Sequence, residues 1–220
     1  MPEVFAAKQF VFPYIDIKFP GQASDERILY VTREAPVMLY LRLIFITVPG
    51  LVIVVGGWKV INFLGNYFNL SFLIWLSILA AGLMFWVIGS WWVYTLWHKS
   101  IFILTTRRLT KFIYSTPWNR YNLSLTLDQV VDTGSYARGY FQALTKIGTF
   151  TARSGAGNRP EKYFYIENVQ VYEDLANYVN KILFVFHQNP HQLNNFRPFI
   201  PHLKGEARKE FMKQYPQYWS

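Results

Sequence analysis

VINFLGNYFNLSFLIWLSILAAGLMFWVIGSWWVYTLWH, residues 60–98, runs for 39 positions without a lysine, arginine, aspartate or glutamate. A helix rising ~1.5 Å per residue needs ~20 apolar residues to cross a ~30 Å hydrocarbon layer, so this stretch is long enough to span a bilayer. Immediately upstream lies a second apolar stretch, Ala35 to Trp58, whose one charge is Arg42. Two spans are expected, over about 36–58 and 70–97.

The rest of the chain cannot hide these stretches. Its 220 residues are 52% hydrophobic and 19% aromatic against 16% charged, and the mean hydropathy is +0.11. A chain of this length has too little surrounding mass to bury two such helices in a water-soluble core. The aromatic content excludes disorder, and the lack of any cysteine excludes a disulfide scaffold, thiol chemistry and cysteine-ligated metal. The start, Met1 to Gln22, has neither a basic leader nor an apolar core with a small-residue cleavage site. A removable signal peptide is therefore not expected, and the first span is expected to direct insertion.

The chain divides into an N-terminal cytoplasmic segment (1–34), a transmembrane hairpin (35–97), a polar domain (98–187) and a tail (188–220). Insertion reads Lys and Arg near the span ends. Arg27, Arg33 and Arg42 precede or open the first span, and Lys99, Arg107, Arg108 and Lys111 follow the second, whereas the link from Lys59 to Asn69 offers Lys59 alone. Both termini are expected in the cytoplasm. Arg42 lies about two turns inside the cytoplasmic end, where a long side chain can snorkel to the headgroups. Trp91, Trp92, Tyr94 and Trp97 crowd the cytoplasmic end of the second span as membrane-interface anchors. Pro49 and Gly50 permit a kink in the first span, and Gly82 and Gly89 permit close helix contact, within the hairpin or between protomers. No polar track lines either helix, which argues against a channel or transporter made of these spans alone.

After the membrane the period changes. Ser100 to Leu104 and Leu109 to Tyr114 flank Thr105, Thr106, Arg107 and Arg108 as a β-hairpin, and further strands are expected at Tyr121–Leu127, Val130–Tyr136, Gly139–Ala143, Ile147–Arg153 and Lys162–Ile166. Val171, Leu175, Tyr178, Val179, Ile182 and Phe186 then recur at helical spacing, with Glu173 and Asp174 in the first turn and Pro190 beyond the end.

At these residues the chain resembles the membrane-anchored bacterial pleckstrin-homology-like (PH-like) domain proteins. The likeness runs through Ile103-Leu104-Thr105-Thr106-Arg107-Arg108-Leu109, then Leu125-Thr126-Leu127-Asp128-Gln129-Val130-Val131-Asp132, then Ile147-Gly148-Thr149-Phe150-Thr151-Ala152, and Ile166-Glu167-Asn168-Val169 before the closing helix. It covers residues 25 to 187 and includes the two preceding spans. The resemblance implies a two-helix transmembrane hairpin followed by a mainly-β PH-like barrel of about seven strands, capped by a C-terminal α-helix, at the inner face of a prokaryotic plasma membrane. It carries no catalytic motif, and it leaves the N-terminal segment and the tail from Gln188 unexplained.

The residues themselves offer little chemistry. His98, His187, His191 and His202 have no metal-ligand spacing, and no nucleophile elbow, Walker or kinase motif is present. Gly155-Ala156-Gly157 follows a strand but opens no helix, so it reads as a hairpin turn and not a phosphate loop. Asp128 with Asp132, and Glu173 with Asp174, fit turn and helix-start roles. No enzyme, cofactor or metal is expected. Residues 98–220 carry 16 basic and 8 acidic side chains. The economical account of that excess is topogenic charge plus attraction to an anionic inner leaflet, with Lys99, Arg107, Arg108 and Lys111 as the candidate lipid-facing patch. In the rival account the arginines pair with Asp128 or Asp132. Nucleic acid is not expected, because the aromatics occupy span or strand positions. The expected function is a non-enzymatic, membrane-anchored binding or assembly module acting through protein interaction or self-association. The alternatives are an accessory subunit of a membrane transporter or enzyme complex, or a lipid-surface sensor.

Overall fold

The computed structural model describes residues 4–7, 10–14, 17–68, 72–155, 163–200 and 205–218. The chain divides into two compact units, one of residues 36–98 with 114–120, the other of 1–35, 99–113 and 121–220.

In the first unit, helix α1 (Pro36–Phe68) and helix α2 (Phe72–Lys99) are the two apolar stretches. Both are long and apolar enough to cross a membrane, and only 11% and 6% of their most apolar windows is buried, which is not how the core helices of a water-soluble protein look. Helix α1 does not stop at Trp58 but continues through Lys59 to Phe68, because nothing in Val60–Phe68 breaks a helix. At ~1.5 Å per residue its 33 residues exceed the thickness of a hydrocarbon core. Of the expected link, Lys59 to Asn69, residues 59–68 are therefore part of α1, and Asn69 lies outside the described residues. The glycines set the contact between the helices. A Cβ on Gly82 would stand 2.6 Å from Val54 Cγ2, and one on Gly57 would stand 2.8 Å from Ile78 Cγ2. Trp86 Nε1 donates to Thr47 Oγ1 at 3.0 Å across the same seam. These small residues serve contact within the hairpin.

The second unit holds seven strands, among the described residues, in two antiparallel sheets. One has the order β1-β2-β3-β4: Ile28–Thr32, Ile101–Thr105, Arg108–Tyr114 and Arg120–Thr126. The other has the order β5-β6-β7: Val130–Tyr136, Ile147–Ser154 and Tyr163–Gln170. The expected barrel is thus two sheets and not a closed one. Strand β1 comes from the N-terminal segment and pairs with β2 across both apolar helices, with Val31 opposite Ile103 and Thr32 opposite Phe102.

The strand expected over Gly139–Ala143 is instead a short helix, α3 (Tyr140–Thr145). Gly139, at φ 88°, turns the chain out of β5, and Lys146, at φ 54°, ends the helix. A short apolar run such as Tyr-Phe-Gln-Ala-Leu satisfies either period, and here the turn chemistry decides. Strand β7 runs four residues past its expected end, because Asn168 (φ 57°) accommodates an irregularity in its pairing with β6.

Helix α4 (Tyr172–Gln188) packs Leu175, Ala176, Val179, Ile182 and Leu183 into one core shared by both sheets. Gly148 is required there, since a Cβ would stand 2.5 Å from the Tyr172 ring. The chain's ends complete this core. Val4, Phe12, Tyr14 and Phe19 are buried in it, as are Leu193 and Phe199, and the Phe199 N–H donates to the Leu29 carbonyl at 2.8 Å. A last helix, α5 (Gly205–Gln214), brings Phe211 against Phe12 with ring centroids 5.1 Å apart.

Candidate functional site

Strands β2 and β3 are rich in β-branched and aromatic residues, and the polar Thr106 and Arg107 between them form the tight turn. Thr105 Oγ1 accepts from the backbone N–H of Arg107 (3.2 Å) and Arg108 (3.0 Å), which fixes the turn. The N-terminal segment meets it there. Glu26 receives Arg108 in a two-point contact, Nε to Oε1 and Nη2 to Oε2, each 2.9 Å, and the Thr105 hydroxyl donates to Oε1 at 2.7 Å. Arg107 pairs with Asp25, and Arg108 also donates to the Gly21 carbonyl. The Arg27 and Thr106 backbones close the clasp, with Thr106 N–H donating to the Arg27 carbonyl at 3.0 Å.

The Glu26 side chain has no exposed surface. Burial pushes its carboxyl pKa up, but hydrogen bonds from Arg108, Thr105 and the Ala23 N–H, with the Arg108 charge, outweigh burial and leave it below its ordinary value. The hydrogen bond to Glu26 in turn raises Arg108. The partners of the arginines are therefore Asp25 and Glu26 and neither Asp128 nor Asp132. Asp132 lies 3.8 Å from Arg153 instead. No signal in the sequence announces this, because Glu26 and Arg108 stand 82 positions apart.

Lys99, Arg107, Arg108 and Lys111 do not make one cationic face. Arg108 and Lys111 are three apart on β3, and an odd spacing on a strand sends side chains to opposite faces. Lys111 Nζ donates to the Tyr165 carbonyl at 3.1 Å, and burial lowers its ammonium pKa against the opposing pull of Glu167 and Glu34. Lys99 is the half-buried last residue of α2.

Trp91, Trp92, Tyr94 and Trp97 share the last about two and a half turns of α2. Tyr94 stacks on His98 with centroids 5.6 Å apart, and Trp97 lies 6.3 Å from Tyr94. Trp118, at the tip of the β3–β4 turn, adds a fifth aromatic to this cluster, 5.6 Å from Trp92 and 6.4 Å from Trp91. The tip is held by the Ser115 N–H donating to the Asn119 carbonyl and by the Asn119 N–H donating to Thr116 Oγ1 at 2.9 Å.

A second polar network, not anticipated from sequence, centres on Asn168. Its Oδ1 accepts from Gln142 Nε2 at 3.0 Å, its Nδ2 donates to Glu34 Oε1 at 2.7 Å, and its carbonyl accepts from the Ala35 N–H at 2.8 Å. Among the described residues, no three acidic or histidine side chains converge where a metal ion could sit. A groove of about 510 Å³ runs beside α4, with Asn177, Lys181 and Arg197 on its walls together with Tyr178, Phe196 and Ile200. No family model, no curated protein and no solved structure matches the chain.

Proposed function

We propose that the protein is a two-span membrane protein whose PH-like β-rich unit acts as a non-enzymatic binding or assembly module, through protein interaction or self-association, at the inner face of a prokaryotic plasma membrane. One observation carries the topology. Strand β1 precedes α1, strand β2 follows α2, and the two are hydrogen-bonded neighbours in one sheet. If α1 and α2 cross a bilayer, the segments on either side of the hairpin share one aqueous compartment. The tail joins the same side through Phe199 on Leu29 and the Tyr215 hydroxyl on the Phe12 carbonyl. The basic flanks make that compartment the cytoplasm. Within the unit, the buried Glu26 holds the N-terminal segment to the β2–β3 turn.

The absence of native cysteine makes the test direct. Single cysteines at Asn66, Asp128 and Lys209 are challenged with a membrane-impermeant maleimide in intact and in permeabilised cells. Labelling of Asn66→Cys in intact cells, and of the other two only after permeabilisation, is expected. Labelling of Asp128→Cys in intact cells overturns the topology.

A further inference from the structure

Helix α3 gains nothing from the core: none of its six residues is buried. Yet three of them are large and apolar, Tyr140 at 83% exposure, Leu144 at 68% and Phe141 at 39%, and Tyr136 beside them is 46% exposed. The helix is built by polar contacts at its ends. The Arg138 N–H donates to Gln142 Oε1 at 2.6 Å, the Ala143 N–H donates to the Gly139 carbonyl, and the Lys146 N–H closes the last turn. A short helix that needs no packing and still spends its surface on aromatic and aliphatic side chains, between exposed Arg138 and Lys146, has the composition of an element lying in the headgroup layer. Tyr and Phe rings settle at that depth, and flanking cations reach anionic headgroups.

The Asn168 network says where α3 is held. Its middle residue, Gln142, is one hydrogen bond from Asn168, which grips Glu34 through its side chain and Ala35 through its carbonyl. The next residue, Pro36, opens α1. Helix α3 is therefore tied by two consecutive side-chain hydrogen bonds to the residues just before the first apolar helix. We propose that α3 is an interfacial foot: Tyr140, Phe141 and Leu144 insert into the headgroup and upper acyl layer of the bilayer that α1 enters, with Arg138 and Lys146 on anionic headgroups. The proposal rests on α1 being a membrane span.

The test uses the full chain in vesicles of phosphatidylcholine and phosphatidylglycerol at 3:1, with one cysteine carrying the polarity-sensitive fluorophore NBD. Four positions are compared: Leu144, Tyr140, Ile53 within α1, and Val131, which is exposed at the far end of β5, five residues from Tyr136 and so ~17 Å away. Lipids bearing a nitroxide near the headgroup are expected to quench NBD at Leu144 and Tyr140 at least twofold and at Val131 hardly at all. Replacing Arg138 and Lys146 with Gln is expected to reduce that quenching in anionic vesicles. Absence of quenching at Leu144 and Tyr140, while nitroxide placed deep in the acyl chains quenches Ile53, overturns the foot and leaves the spans standing. Absence of quenching at Ile53 as well removes the span on which the foot depends. Equal quenching at Val131 also overturns it, because the whole unit and not α3 would then touch lipid. Shielding at Leu144 that follows protein-to-lipid ratio instead of nitroxide content assigns the surface to a second copy and overturns it too.

Discussion

Glu26 and Arg108 hold each other at two points, 2.9 Å apart at each, and so join a residue that precedes both apolar helices to one that follows them. The pair is asymmetric: the Glu26 side chain has no exposed surface, while the Arg108 side chain keeps 27% of its own and its guanidinium lies 5.6 Å from the centre of the Phe19 ring. Removing one partner of a buried pair leaves an uncompensated charge, a loss of about 3–5 kcal/mol for a fully buried pair. Because Arg108 can regain some water, Glu26→Ala is expected at the lower end, about 3 kcal/mol. Arg107→Gln is expected to cost at most about 1 kcal/mol, since Arg107 and Asp25 are each more than half exposed. Thermal melts of the detergent-solubilised protein check both values. Equal losses in the two variants contradict the assignment of the clasp to Glu26.

The same pair sets a pH window. The Glu26 carboxyl lies below its ordinary value of 4.5 in the folded protein. A depressed acid contributes stability in full above the unfolded value and loses it as pH falls through the folded one. The melting difference between the wild type and Glu26→Gln is expected to stay constant from pH 8 to pH 5.5 and to narrow below about pH 4.5. A difference that shrinks already between pH 7 and 6 points to another group.

The two helices were legible because a helix long and apolar enough to cross a membrane demands a long run without charge, and Val60–His98 is such a run. Strands β2, β3, β5 and β6 were legible as runs rich in β-branched and apolar residues bounded by turn residues, and helix α4 because it buries one face and so shows its period, as Leu175, Val179 and Ile182 do. What escaped depends on distance along the chain. Ile28–Thr32 is five residues of good strand former, but its partner lies beyond both apolar helices, and no local pattern can pair Val31 with Ile103. The partners of Arg107 and Arg108 escaped for the same reason. Helix α3 was missed because five residues cannot distinguish two periods, and the Asn168 network because a single polar residue in a strand carries no signal of what it grips.

Close contact at the glycine seam gives a prediction for the hairpin. A side chain at Gly82 meets Val54 at 2.6 Å, whereas Gly65 has open space around it. Forcing bulk into a packed seam costs about 1–3 kcal/mol, so Gly82→Leu is expected to lower the temperature at which the detergent-solubilised protein aggregates, and Gly65→Leu to leave it unchanged. Adding Val54→Ala to Gly82→Leu is expected to recover part of the loss, because neighbouring substitutions are coupled. Equal effects at Gly82 and Gly65 contradict packing within the hairpin.

Residues beyond α4 are part of the core, and their removal is expected to show it in steps. Leu193 and Phe199 are 2% and 3% exposed, and Tyr178 on α4 packs its ring against Phe199 while its hydroxyl donates to the Arg197 carbonyl. Phe211 and Tyr215 lie further out and cover Phe12 from one side, with Tyr215 5.1 Å from Phe211 and 4.9 Å from Phe12. Fully burying a Leu or Phe side chain is worth about 1.5–3 kcal/mol. Ending the chain after Ile200 removes only the outer layer, so a lowered melting point is expected with the cooperative transition kept. Ending it after Gln188 strips Leu193 and Phe199 together, also exposes Tyr30 and Tyr178, and leaves the Leu29 carbonyl without its donor Phe199. That sum of about 3–6 kcal/mol approaches the whole stability of an ordinary domain, about 5–15 kcal/mol, so the shorter chain is expected to lose its cooperative melt and become protease-sensitive. Limited trypsin digestion of the two truncated proteins in membranes separates the cases. A chain ending at Gln188 that resists trypsin as well as the intact protein would show that the tail lies on the unit without completing it.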